Sequence, residues 1–380
     1  MRARRTTTIA VSAALALSAV AGGAGPAGSE PRTGYGVAVV NITRGDTTTV
    51  DQLEGFSSPG KTPIIGDFVG SADTGELEDI LWYTPGAGGD VLWRTRGNRT
   101  WSPTPISISG SYQPLVGDFS NDGKDDIFWY APGSTAESLW DFNPDGTITK
   151  TAFSVNGTYK PLVGHFTDDD ADDILWYAAG TAADAWWDFN VGGTVTNRAF
   201  TINGTFTPVI GQFSGDTAAA SDATDDVFWY APGSAADAVW DWNSNGTITQ
   251  RPISAAGVYK AYAGDFTSDG YDDVFFYDPG LGLDYIWDFD SASLGKTVES
   301  LEVDTVYDAM LPAQLYGPSD QTDLLLFRKG APSDEILDFT GGSAAYTSRP
   351  ITLTGNRTPV LASLELQGSD AGADVIDLTT

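Results

Sequence analysis

The stretch Asp126-Ile127-Phe128-Trp129-Tyr130 decides the fold. Four apolar residues in a row, with no polar alternation, describe a short strand buried on both faces. The pattern returns at Asp79–Tyr83, Asp173–Tyr177, Asp226–Tyr230 and Asp273–Tyr277, and decays through Asp323–Phe327 to Asp374–Leu378. The steps between the leading aspartates are 47, 47, 53, 47, 50 and 51 residues. A period near 50 means one supersecondary unit copied along the chain.

Around the quoted strand the unit reads as four strands, at residues 113–119, 126–130, 137–142 and 147–155. Ala131-Pro132-Gly133 and Asn156-Gly157 punctuate it as turns, and Asp145-Gly146 forms a tight hairpin. Nothing reads as a helix. Two tryptophan columns run through the copies. Trp82, Trp129, Trp176 and Trp229 continue as Phe276 and Leu326. Eleven residues further on, Trp93, Trp140, Trp187, Trp240 and Trp287 continue as Leu337. Periodic aromatics on buried strands are core. A sandwich is the rival all-β arrangement, but it gives no reason for one unit repeated seven times. The last copy supplies only two strands, at 359–366 and 374–379. Residues 36–41 and 47–51, around an Arg44-Gly45-Asp46 turn, would supply the other two. The sequence therefore predicts an all-β, seven-bladed β-propeller of four-stranded antiparallel blades, its ring closed by pairing N- and C-terminal strands.

The organisation follows. Residues 1–21 read as a signal peptide, with Arg2, Arg4 and Arg5 before an apolar run and Ala19-Val20-Ala21 as the cleavage site. Residues 22–34 are a flexible Gly/Pro/Ser-rich segment, and residues 35–380 are the propeller. The absence of cysteine excludes a disulfide-stapled domain and a lipid anchor on cysteine. No later apolar stretch is long enough to span a bilayer. A net charge of −31 repels phosphate backbones and argues against nucleic acid. The expectation is a secreted, extracellular monomer with no membrane insertion. The tripeptide Arg44-Gly45-Asp46 reads as a hairpin turn. Asn98, Asn156, Asn203, Asn245 and Asn356 match the glycosylation acceptor pattern, and in a bacterial-looking secreted chain they read as turn residues.

The link between the first two strands carries chemistry. Asp118, Ser120, Asp122 and Asp126 place oxygen donors at positions 1, 3, 5 and 9, with Gly123 at 6 and the carbonyl of Lys124 at 7. Asp265, Thr267, Asp269, Tyr271 and Asp273 repeat the layout around Gly270. Hard Ca²⁺ takes six to eight oxygens, and alternate residues of a tight loop converge theirs on one point. In the third copy His165 stands first, followed by Thr167, Asp169, Ala171 and Asp173, which predicts a weak site. The first and fourth copies carry insertions and the last two have lost the pattern. These loops resemble the calcium loop of the FG-GAP, or VCBS, repeat, the family that includes the integrin α-chain propeller. The resemblance spans residues 35–380. It implies a seven-bladed extracellular propeller of bacterial secreted type, with structural Ca²⁺ in some blades and recognition duties.

Catalysis is not expected. His165 is the single histidine, no cysteine nucleophile exists, and no phosphate cradle is visible. Most acids are periodic, whereas a catalytic carboxylate pair must break the symmetry. The sequence predicts a non-catalytic adhesion or recognition module for protein or matrix partners, binding on the face opposite the calcium loops. A lectin with sites between blades is the alternative, and a carboxylate-dependent glycosidase a more distant one.

Overall fold

The computed structural model describes residues 37–42, 48–53, 61–70, 77–96, 101–134, 136–167, 169–214, 224–233, 236–243, 246–290, 294–316, 321–353, 358–362 and 374–378. The signal segment, the flexible segment and the Arg44-Gly45-Asp46 turn lie outside them. No helix occurs among the described residues. Six antiparallel four-stranded blades follow one another along the chain. Blade two contains Gln113–Gly117, Asp126–Tyr130, Glu137–Phe142 and Ile148–Phe153, paired in that order. Blade one begins at Thr62, and blades three to six begin at Lys160, Thr207, Lys260 and Ala309.

The count of seven like units needs correction. Six blades are each one continuous run of four strands. The seventh copy contributes two described strands, Val360–Ala362 and Asp374–Leu378. Val37–Ile42 and Thr48–Leu53 from the other end join them in a separate four-stranded sheet. There Val39 pairs with Ile376, and Val360 with Ile376 from the other side. Val360 and Ala362 pack on Ile80 and Trp82 of blade one, and Leu361 packs on the core of blade six.

The second strand of every blade is fully buried, as its unbroken apolar run requires. Five core clusters mix second-strand residues of neighbouring blades; Phe128 and Trp176 share one, Phe228 and Phe276 another. The tryptophan columns meet edge to face. Centroids of Trp129 and Trp140 lie 5.6 Å apart, Trp176 and Trp187 5.2 Å, and Phe276 and Trp287 4.8 Å. Such pairs add about 0.5–1.5 kcal/mol each beyond burial.

Two further devices recur. A second-strand tyrosine hydroxyl bridges the link to the next blade. Tyr177 Oη donates to the Gly204 carbonyl at 3.0 Å and accepts from Phe206 N–H at 2.8 Å, and Tyr83, Tyr130 and Tyr230 do the same in their blades. An acid at the start of the third strand accepts two backbone N–H groups at the same end. Asp184, for example, serves Ala178 and Ile202. Among the described residues seventeen acids are buried, so a large part of the negative charge is internal scaffold rather than solubilising surface.

Candidate metal-binding loops

Antiparallel pairing puts the link after strand one and the turn after strand three at the same end of each blade. Gly192, in the blade-three turn, donates to the Ser120 carbonyl of blade two at 2.8 Å, which confirms the shared end. The nine-residue loops of blades two and five close in nearly the same way. Asp122 N–H and Gly123 N–H donate to the two Asp118 oxygens at 3.1 and 3.0 Å. Asp269 and Gly270 do so to Asp265 at 3.2 and 3.0 Å. Gly123 and Gly270 sit at φ 90° and 92°, in the left-handed region where glycine is unstrained. Lys124 turns its ammonium away to Asp67 of blade one, 2.7 Å off, leaving only its backbone to the loop.

The doublet of carboxylates at the end of the loop splits its work. The second member holds its own blade: Asp126 accepts Ser120 N–H at 3.0 Å and Phe142 N–H at 2.9 Å. Equivalent bonds hold Asp79, Asp173, Asp226, Asp273 and Asp323. The first member clamps the preceding blade. Asp172 accepts Asp118 N–H at 2.9 Å, while Asp172 N–H donates to the Asp118 carbonyl at 3.0 Å. Asp125, Asp225 and Asp272 make the same double clamp on Asp67, His165 and Gln212. The sequence pattern marks only the second member, as the start of each second strand, and does not show this division. The first member's regular place one residue before each second strand was the available signal.

Burial raises the second-strand aspartates of all six blades, those of the two complete loops included. Burial pushes the carboxyls of Asp126 and Asp273 up to about 9. Neighbouring negative charges add to this: Asp141, Asp118 and Asp122 around Asp126, and Asp288, Asp265 and Asp269 around Asp273. Among the described residues no three such side chains converge tightly enough to hold a metal as they stand. Two observations nevertheless fit a hard cation. Ser120 and Thr267 are each 4% exposed, and their hydroxyl oxygens make no hydrogen bond within the loop. Each also lies at the edge of a four-carboxylate group that a cation would relieve.

The third loop differs. Thr167 Oγ1 donates to Asp169 at 2.8 Å. Asp173 accepts Phe189 N–H at 2.8 Å and the Trp186 indole N–H at 3.3 Å. Asp170 holds the glycine position at φ 61°. Ala171 offers a backbone N–H to Asp169 at 3.3 Å. In blade four the Ser214 hydroxyl is likewise bonded, to Asp226 at 2.8 Å.

Comparison with known proteins places this geometry. Residues 111–149, which contain the blade-two loop, match the FG-GAP repeat. The comparison with curated proteins gave no significant match. Among solved structures, a protein from Lactobacillus plantarum superposes with TM-score 0.53 at 14% identity, over 83% of this chain and 95% of that one. An arginine-to-alanine triple mutant of AofleA from Arthrobotrys oligospora gives 0.41 at 13%, over 82% and 96%. The exotype rhamnogalacturonan lyase YesX gives 0.39 at 12%, over 91% and 72%. The first likeness supports the fold. The fold is thus that of a β-propeller, within which residues 111–149 match the FG-GAP repeat.

Proposed function

We propose that the protein is a secreted, non-catalytic recognition module of the FG-GAP type, stabilised by Ca²⁺ in the loops of blades two and five. It would bind an extracellular protein or matrix partner on the face opposite those loops. The composite terminal sheet would take the seventh place and close the ring, a reading supported by its packing on both blade six and blade one.

The observation that carries the binding face is a gathering of exposed apolar side chains. Val258 (70% exposed), Leu281 (91%), Leu283 (48%) and Val306 (59%) all lie in links after second or fourth strands around blade five. These links share the end away from the calcium loops. Large aliphatic groups gathered on a rigid face mark contact surfaces. In blades one to four a glycine pair, such as Gly180 with Gly204, ties the link after the second strand to the link after the fourth, so that part of the frame is preformed.

One observation favours a second reading, a lectin. An open groove of about 590 Å³ lies between the outer strands of blades five and six, lined by Leu283, Glu302 and Tyr346 among others. An aromatic beside a carboxylate suits a sugar. A panel of extracellular-matrix proteins and a glycan array, each probed with wild type, Leu281→Ser/Val306→Ser and Tyr346→Ala, separates the two. Protein binding lost only with the leucine and valine changes supports the first reading. Glycan binding lost only with Tyr346→Ala replaces it.

The calcium reading has its own test. Extracellular modules bind Ca²⁺ with Kd of about 10⁻⁴–10⁻³ M, so 1 mM ion adds roughly 0.4–1.4 kcal/mol per site. Melting should rise on moving from chelator to millimolar CaCl₂. No shift, with no calcium by elemental analysis, would refute it.

A further inference from the structure

One residue after the second tryptophan column, the third strand carries Asp141, Asp188, Asp241, Asp288 and Asp338 in blades two to six, and Arg94 in blade one. This position faces the loop. The Ser120 side chain lies beside Asp141 and Thr267 beside Asp288. Oδ1 of Asp141, Asp241, Asp288 and Asp338 is buried without a hydrogen-bond partner.

The blades differ in what neutralises this carboxylate. Arg198 reaches Asp188 at 2.6 Å, Arg251 reaches Asp241 at 3.1 Å and Arg349 reaches Asp338 at 2.6 Å. All three arginines hold one place on the fourth strand, opposite Trp186, Val239 and Ile336. The Arg349 guanidinium also lies 4.6 Å from the ring of Tyr316, which stands where Ser120 and Thr267 stand in their loops. In blade one Arg94 replaces the aspartate and its charge acts on Asp79. The corresponding fourth-strand residue is Thr151 in blade two and Glu299 in blade five. The charged groups that bear on Asp141 and Asp288 are all acidic: Asp122 for the first, and Asp269, Asp290 and Glu299 for the second. The two blades with a complete loop are therefore the two without the arginine. Asp141 and Asp288 are half-buried, with Oδ1 of each shut off from solvent, and an uncompensated carboxylate charge in such a place is costly. In the same two blades a nearly buried hydroxyl has no partner beyond the third-strand carboxylate beside it, whereas Thr167 and Ser214 bond within the loop in blades three and four.

We propose that Asp141 and Asp288 complete the cation sites of blades two and five, and that Arg94, Arg198, Arg251 and Arg349 are built-in cations that replace the ion in the other four blades. The inference rests on the calcium reading of the loops and adds to it a third-strand carboxylate and an exclusion rule.

Calorimetric titration of the full chain with CaCl₂, after chelation, tests it, with melting in chelator as the check on folding. Wild type should bind two ions. Asp141→Asn and Asp288→Asn should each weaken one site at least tenfold. Thr151→Arg should leave only one ion bound, with melting in chelator no lower than wild type. Two ions retained at wild-type affinity in Asp141→Asn and Asp288→Asn, or in Thr151→Arg, overturn this inference and leave the loop reading intact. A wild-type chain that binds no calcium overturns both.

Discussion

Asp323 has no calcium loop around it, yet it accepts backbone N–H groups from Leu315, Tyr316 and Phe339 at 3.0, 2.7 and 2.9 Å. The second-strand aspartate is thus scaffold first, whatever its loop binds. Asp323→Ala leaves three buried donors unpaired and should cost about 1–3 kcal/mol in urea unfolding, the same in chelator and in calcium. Asp126→Ala should lose stability in chelator as well, so only its calcium-dependent increment reports on metal. Acidity follows from the same burial. Asp79, Asp225 and Asp323 are pushed up to about 7, mainly by desolvation. An acid whose folded pKa lies above its unfolded value contributes stability fully present below the unfolded pKa and lost as pH rises through the folded one. In chelator, Tm should therefore fall between pH 5 and pH 8. A Tm that rises over that window would contradict the assignment.

The link between blades is the element that decides how rigid the ring is. Asp172 and Asp118 exchange two hydrogen bonds across a blade boundary, and Asp225 repeats this on His165. Asp172→Ala should cost about 1–3 kcal/mol, because it leaves Asp118 N–H unpaired in the boundary. Equal urea midpoints for variant and wild type would show that the clamp carries no energy. At the opposite end, Gly257 sits at φ 142°, and a Cβ there would run into the Tyr259 ring. Gly257→Ala should destabilise by shifting that ring, and with it the Tyr230 hydroxyl that accepts Tyr259 N–H at 2.8 Å.

Across the molecule, the proposed closure depends on the terminal sheet. Asp374–Leu378 is paired on one side by Val37–Ile42 and on the other by Val360–Ala362. Removing residues 35–51 strips that strand of a partner and bares an edge, which favours aggregation. Size-exclusion chromatography and melting should show oligomers or a large stability loss. A monomer of wild-type stability would refute the closure scheme.

The strands, the turns between them and the loops of blades two and five were legible in the sequence, because each is governed by residues within about ten positions of one another. Continuous apolar runs, Asp-Gly turns and donors at alternate loop positions are local signals. Blade number was less legible: seven copies of a motif became six contiguous blades and one sheet shared by the ends, since the last copy lacks two strands. Only the tertiary structure decided the partner of each carboxylate. Asp172 finds Asp118, 54 residues back, and Asp225 finds His165, 60 residues back. Arg198 finds Asp188 through strand register. Composition counted all these aspartates alike as negative charge; burial, register and blade stacking determine which are clamps, which are neutralised by arginine, and which are left facing an open loop.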